Sequence, residues 1–216
     1  MARASHIPLS SAFPARPLVR SLSGAGRAFA RRISRLAPLA LALFAFAGCA
    51  PKSTVPLVYP TPPVMLDETC AAAVTVVPFV DARQNPMLIG KKSDGDPFIA
   101  DIPASEWVAT GTYEELRSRN CQAIYRTKTP AEVSGWALGG EIEDIQLTQS
   151  DPSQYSGKMA VRFTLWKDGA PTFHYRQTVQ MERTVFPSSS VPREFMTEML
   201  RDLLGLAAPK VLEQVK

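Results

Sequence analysis

Three cysteines, Cys49, Cys70 and Cys121, carry the most reactive side chains of this sequence. A thiol can take a lipid, close a disulfide, ligate a metal or act as a nucleophile. The last two roles need companions, and the sequence is poor in them. After Cys49 there is one histidine, His174, on the polar phase of an alternating stretch, where solvent is its expected neighbour. One histidine cannot complete the usual zinc sets. A Ser/His/Asp hydrolase would need an elbow such as G-x-S-x-G, which is absent. Asp94 and Asp96 look like a fragment of a calcium loop, but the later Gly and Glu are not at the required spacing. Glu141, Glu143 and Asp144 read as a solvated strand edge. No glycine-rich loop follows a strand, so nothing points to a nucleotide. The expectation is a chain that is not an enzyme and needs no cofactor or metal.

The surroundings of Cys49 are more informative. Residues 1–48 hold seven arginines (Arg3, Arg16, Arg20, Arg27, Arg31, Arg32 and Arg35) and no acid. An uncharged apolar run of 13 residues, 36–48, follows. It is too short to span a bilayer, which takes about 20 residues. A basic region, a short apolar run and small residues at its end are the parts of a secretory signal. The run closes on Phe46-Ala47-Gly48-Cys49, which resembles the lipobox of bacterial lipoproteins. It departs from that motif at Phe46, where Leu is usual. The resemblance implies cleavage before Cys49 and diacylglycerol on its sulfur. Arg31-Arg32 is a twin-arginine pair, but Arg35 stands where such a signal wants an apolar residue.

Cleavage would change the charge balance. The chain has 24 basic and 20 acidic residues, a formal +4. Without the seven arginines of residues 1–48, 17 basic residues face the same 20 acids, a formal −3. A nucleic-acid role needs a basic face on the folded part, so none is expected. The remaining 168 residues suffice for one domain with a core. In an oxidising compartment Cys70 and Cys121 are a candidate disulfide; the alternative is two buried, unpaired thiols.

The elements that position these residues follow from pattern. Pro51, Pro56, Pro60, Pro62 and Pro63 predict a semi-rigid tether over 49–68, leaving the domain at 69–216. The β-branched run 73–79 predicts a strand covered on both faces. Turn formers over 81–101 predict a long exposed loop. Residues 103–119 predict a helix opened by Pro103. Gly111 and a Thr112/Glu115 capping box allow a break within it, and Asn120 suits its end. A short strand at 121–125 and a longer one at 136–148 follow, with a bulge near Glu143-Asp144 because Ile145 and Leu147 fall out of phase. Residues 158–166 and 172–185 alternate around Asp168-Gly169, a strong hairpin signal. From Pro192, Phe195, Met196, Met199, Leu200, Leu203 and Leu204 form a helical stripe, with Gly205 and Pro209 expected to bend or end it. The sum is an α+β, two-layer domain: a mixed, mostly antiparallel sheet with two helices on one face.

One motif remains, Pro78-Phe79-Val80-Asp81-Ala82-Arg83 followed by Gly90. Asp81 and Arg83 at a strand end can pair locally or face a partner. With the lipobox, the proline-rich stretch, the antiparallel strands and the C-terminal helix, this motif resembles the YajG-like lipoproteins of proteobacteria. The resemblance covers about residues 70–215 and implies an envelope location and a shape more than a chemistry. Ala50, which is not Asp, implies sorting to the outer membrane.

Two functions fit. The first is a membrane-anchored periplasmic lipoprotein that binds a protein partner in envelope assembly or transport, through the loop of Asp81, Arg83 and Gly90. The second is a lipid- or glycan-binding domain, with the helix from Pro192 as a lid and Phe195 and Met199 lining an apolar groove.

Overall fold

A computed structural model describes residues 54–64 and 70–215; the signal segment and Cys49 lie outside the described residues. The elements run β1 (Thr54–Val55), β2 (Val74–Val76), β3 (Val80–Asp81), β4 (Leu88–Lys91), β5 (Pro97–Ala100), α1 (Ala104–Ser118), β6 (Ala123–Tyr125), a 3-10 turn (Pro130–Glu132), β7 (Trp136–Asp151), β8 (Gln154–Lys167), β9 (Ala170–Thr184) and α2 (Val191–Leu212). They form a mixed sheet with two helices, an α+β fold as expected.

The long strand β7 organises the sheet. One edge pairs antiparallel with β8 along its length, and β9 continues outward. Along the other edge three short strands lie parallel in succession. β2 meets Trp136–Leu138, β3 meets Glu141 and Ile142, and β4 meets Leu147 and Thr148. β6 lies parallel outside β2, β5 antiparallel outside β4, and β1 parallel outside β5.

Local chemistry explains the turns. Asp168 and Gly169 both take positive φ, 50° and 80°, the two left-handed positions of a type I′ hairpin. The β7–β8 register shifts between Ile142 and Asp144. The bulge brings Ile145 and Leu147 onto the same buried face as Leu138 and Ile142. At the end of α1, Asn120 sits at φ 55°. The Asn120 amide donates to the Arg117 carbonyl, and the Cys121 amide to Leu116. That is a Schellman closure, with Asn in place of the usual glycine.

Both helices pack on the core face of the sheet, where Leu138, Ile142, Met159, Val161, Phe163 and Leu165 are buried. α2 lies on β8 and β9, and α1 beside it. Phe195, Met196, Met199, Leu200, Leu203 and Leu204 are each 1% exposed or less. Burying such a side chain fully contributes about 1.5–3 kcal/mol. On the opposite face Val77, Val133, Ala137 and Trp166 form a small second cluster at one end.

Four expectations need correction. Part of the 49–68 tether is not free: residues 54–60 are bound to the domain. Val55 and Leu57 are buried, and β1 is a strand of the sheet. The loop 81–101 is largely a hairpin, β4–β5, with Ile89, Phe98 and Ala100 in the core. Its turn formers fall before β4, at Asn85-Pro86, and in the turn between the two strands, Lys92 to Asp96, while Gly90 lies within β4. α1 does not break at Gly111. That glycine lets the helices approach: a Cβ there would stand 2.9 Å from Leu200 Cδ2 and 3.2 Å from Leu204 Cδ1. Thr112 is no cap, since its hydroxyl donates 2.7 Å to the Val108 carbonyl one turn back. Finally, α2 passes both Gly205 and Pro209 and ends at Leu212.

Candidate functional site

The motif at the end of β3 is built as a clamp. The Asp81 carboxylate accepts from the Arg83 backbone amide at 3.1 Å, from Nε at 2.9 Å and from Nη2 at 2.7 Å. The same guanidinium donates to the Leu88 carbonyl at 2.8 Å and the Pro86 carbonyl at 2.7 Å. Asp81 is thus a bidentate partner that aims Arg83, and Arg83 holds the backbone of 86–88. The two side chains are only 5% and 10% exposed. They are the scaffold of the loop and do not face outward.

Gly90 serves the same scaffold from the other side. It pairs with Leu147 of β7, and a Cβ there would fall 1.8 Å from the Leu147 carbonyl oxygen. No side chain fits, so β4 can reach the edge of β7 only with glycine at this place.

The structure therefore brings Arg83 and Gly90 to one surface groove of about 440 Å³, with Asp81 outside its lining as the partner of Arg83. Gln84, Asn85, Leu88 and Lys91 line one wall, and residues 144–148 of the bulged strand line the other. Leu88 is 39% exposed. The groove offers the amides of Gln84, Asn85 and Gln146, the charged groups of Arg83, Lys91 and Asp144, and the apolar side chain of Leu88.

The open face of β7–β9 carries a charged lattice. Glu143 accepts from Arg176 Nε at 2.5 Å and also pairs with Arg162, which reaches Glu141 at 3.6 Å. Lys158 pairs with Asp144 at 2.9 Å. The hydrogen bond from Arg176 holds the Glu143 carboxyl below the usual range, with the charges of Arg162 and Arg176 adding to it. His174 is exposed and meets Thr164 Oγ1 at 3.0 Å. Asp94 accepts from the Asp96 amide at 3.0 Å, a turn contact. Among the described residues no group of three His, Cys, Asp or Glu side chains could hold a metal ion, and no helix is long and apolar enough to cross a membrane.

Cys70 and Cys121 form a disulfide, their Cα atoms 4.9 Å apart. It ties the entry to β2 to the exit of α1. The apolar groove expected under α2 is filled. Phe195 and Met199 are 1% and 0% exposed, and a Cβ on Gly157 of β8 would meet them at 2.5 and 2.9 Å. The stripe is core packed on the sheet, so the lid reading does not hold for those two residues.

Sequence pattern missed the strap at 54–60 and the polar group that receives it. The Leu57 amide donates to Asp101 at 2.8 Å. The Val58 carbonyl accepts from Trp107 Nε1 at 3.0 Å and Thr197 Oγ1 at 3.1 Å. Tyr59 donates 2.9 Å to Glu115, whose other oxygen accepts from Arg119 Nε, also at 2.9 Å. Glu115 and Arg119 are each 5% exposed. Burial, then the Glu115 carboxylate, pushes the Tyr59 hydroxyl well above its ordinary pKa. The signal was present: Val55, Leu57 and Tyr59 alternate as a strand should, and the interleaved prolines hid it.

No family model and no curated protein sequence matches the chain. Several solved structures resemble it. A DUF330-family protein of Xanthomonas campestris is 12% identical, with 71% of this chain and 94% of that one covered, at a TM-score of 0.49. PelC of Paraburkholderia phytofirmans, described as a dodecamer, is 14% identical over 67% and 91%, at 0.40. A minor lipoprotein of Acinetobacter baumannii is 11% identical over 66% and 89%, at 0.35. The likeness is one of general chain path.

Proposed function

We propose that this chain is a lipid-anchored envelope lipoprotein of the YajG-like kind, held at the periplasmic face of the outer membrane. It carries out no chemistry and binds a protein partner in envelope assembly or transport. The observation that carries the anchor is Ala47-Gly48-Cys49 at the end of a short apolar run behind seven arginines. The partner site in this reading is the groove beside the Asp81–Arg83 clamp. The clamp and Gly90 fix its shape, while Gln84, Asn85, Leu88 and Lys91 supply the contacts.

Photo-crosslinking in intact cells from position 85, with position 206 on the outer side of α2 as control, tests the partner site. One envelope protein captured reproducibly from 85, absent from 206 and lost with Leu88→Asp, is the expected result. Recovery of the uncrosslinked monomer alone would overturn the partner role.

A further inference from the structure

The strap changes where the domain must sit. If Cys49 carries lipid, only four residues, and so five Cα–Cα steps, separate it from Thr54, which is already fixed in the sheet. Fully extended, they reach about 18 Å at most. A domain of this size has a radius of gyration near ~15 Å. The link is shorter than the domain is wide, so one end of the domain stays against the bilayer.

The topology says which end. β1 runs parallel to β5 with Thr54 opposite Ile99 and Val55 opposite Ala100, so Thr54 is the β1 residue nearer the Pro97 end of β5, the end that carries the β4–β5 turn. β4 pairs in parallel with the last part of β7 through Lys91 and Thr148, so that turn lies at the same sheet end as the β7–β8 turn. The loop after β9 is rooted there too, since the Val185 amide donates 2.8 Å to the Ser153 carbonyl. A hollow of about 340 Å³ is lined by Thr54, Lys92, Tyr155, Ser188 and Arg193 together.

On that loop stands Phe186, 94% exposed, the most exposed large apolar side chain among the described residues. An aromatic ring so placed is left almost wholly uncovered by the described residues. Charges of both signs lie at this end of the sheet, among them Lys91, Lys92, Arg183 and Arg193 with Asp94, Asp96 and Asp151. A contact here would rest on the ring and not on a polybasic patch.

We propose that residues 185–190 are a membrane-contact loop, with Phe186 seated in the lipid interface beside the anchor. This rests on the acylation of Cys49. The loop adds little to anchoring by lipid; it sets orientation. It turns the 92–96 and 151–153 turns toward the bilayer and leaves the opposite end of the sheet, with Ile124, facing the periplasm.

The test uses the full chain in cells, with p-benzoylphenylalanine replacing Phe186 or, as control, Ile124, which is also exposed at 42%. Irradiation is followed by mass analysis of the adducts and of the Cys49 peptide. Lipid adducts at 186 and none at 124 are expected. A protein adduct at 186, or no lipid adduct there with Cys49 acylated, overturns the loop's role. An unacylated Cys49 overturns the anchor reading, and this proposal with it.

Discussion

The guanidinium of Arg119 donates to the carbonyl oxygen of Gly205 at 3.4 Å, the acceptor that Pro209 leaves without its helical donor. In a regular helix the amide of residue 209 would bond that carbonyl, and proline has no amide hydrogen. α1 therefore repairs a defect in α2, using the side chain that also neutralises Glu115. Pro209→Ala should restore the backbone bond and raise stability by about 1–3 kcal/mol in denaturant unfolding. Arg119→Lys should couple to it, with an interaction energy of about 0.5–3 kcal/mol in a double-mutant cycle. Strictly additive effects would show that the repair contributes nothing.

The disulfide closes a loop with a sequence separation of 51. The chain-entropy estimate for such a loop is about 4 kcal/mol. Cys70→Ala with Cys121→Ala should lower the denaturant midpoint accordingly, with the far-ultraviolet spectrum kept. An unchanged midpoint would mean that the disulfide does not stabilise the fold by restricting the unfolded chain.

Glu143 makes the open face sensitive to acid. Its folded pKa lies below the unfolded one, chiefly through Arg176. Its stabilisation is therefore present above the unfolded value of about 4.3 and is lost as pH falls through the folded value. Its arginine partners are half exposed, so solvent screening keeps the gain below about 1 kcal/mol. Glu143→Gln should lower Tm slightly at pH 7 and low salt, less so at high salt, and by nothing once pH is under the folded value. A difference that persists in strong acid would contradict the electrostatic account.

Asp81→Ala removes the counterion of a nearly buried guanidinium. Breaking such a pair costs about 3–5 kcal/mol, and the loop that Arg83 holds should loosen first. Hydrogen exchange should quicken at 83–88 while the β8–β9 hairpin stays protected. Unchanged exchange at 83–88 would mean that the clamp does not shape the groove.

Much of the fold was legible because single residues announce it. Asp168-Gly169 named its turn, the phase slip after Ile142 named the bulge, and the Phe195–Leu204 stripe named α2. What stayed hidden depends on a second element. Gly111 reads as a helix breaker until Leu200 and Leu204 are placed over it. Pro209 reads as a stop until Arg119 is there to satisfy Gly205. Val55, Leu57 and Tyr59 look like spacer until α1 presents Trp107 and Glu115 to them. At the site, Asp81 and Arg83 were found from their spacing. That both are consumed inside the loop, and that their neighbours form the groove, required the carbonyls of Pro86 and Leu88 in space.

The placement of this domain turns on the lipidation of Cys49. Intact-mass and peptide analysis of the protein extracted from bacterial membranes tests it directly. The expected chain begins at Cys49, carries diacylglyceryl on its sulfur, and is retained in the membrane fraction, with all three lost in Cys49→Ser. A chain that keeps residues before Cys49, or one cut there without lipid and found free in the periplasm, would contradict it.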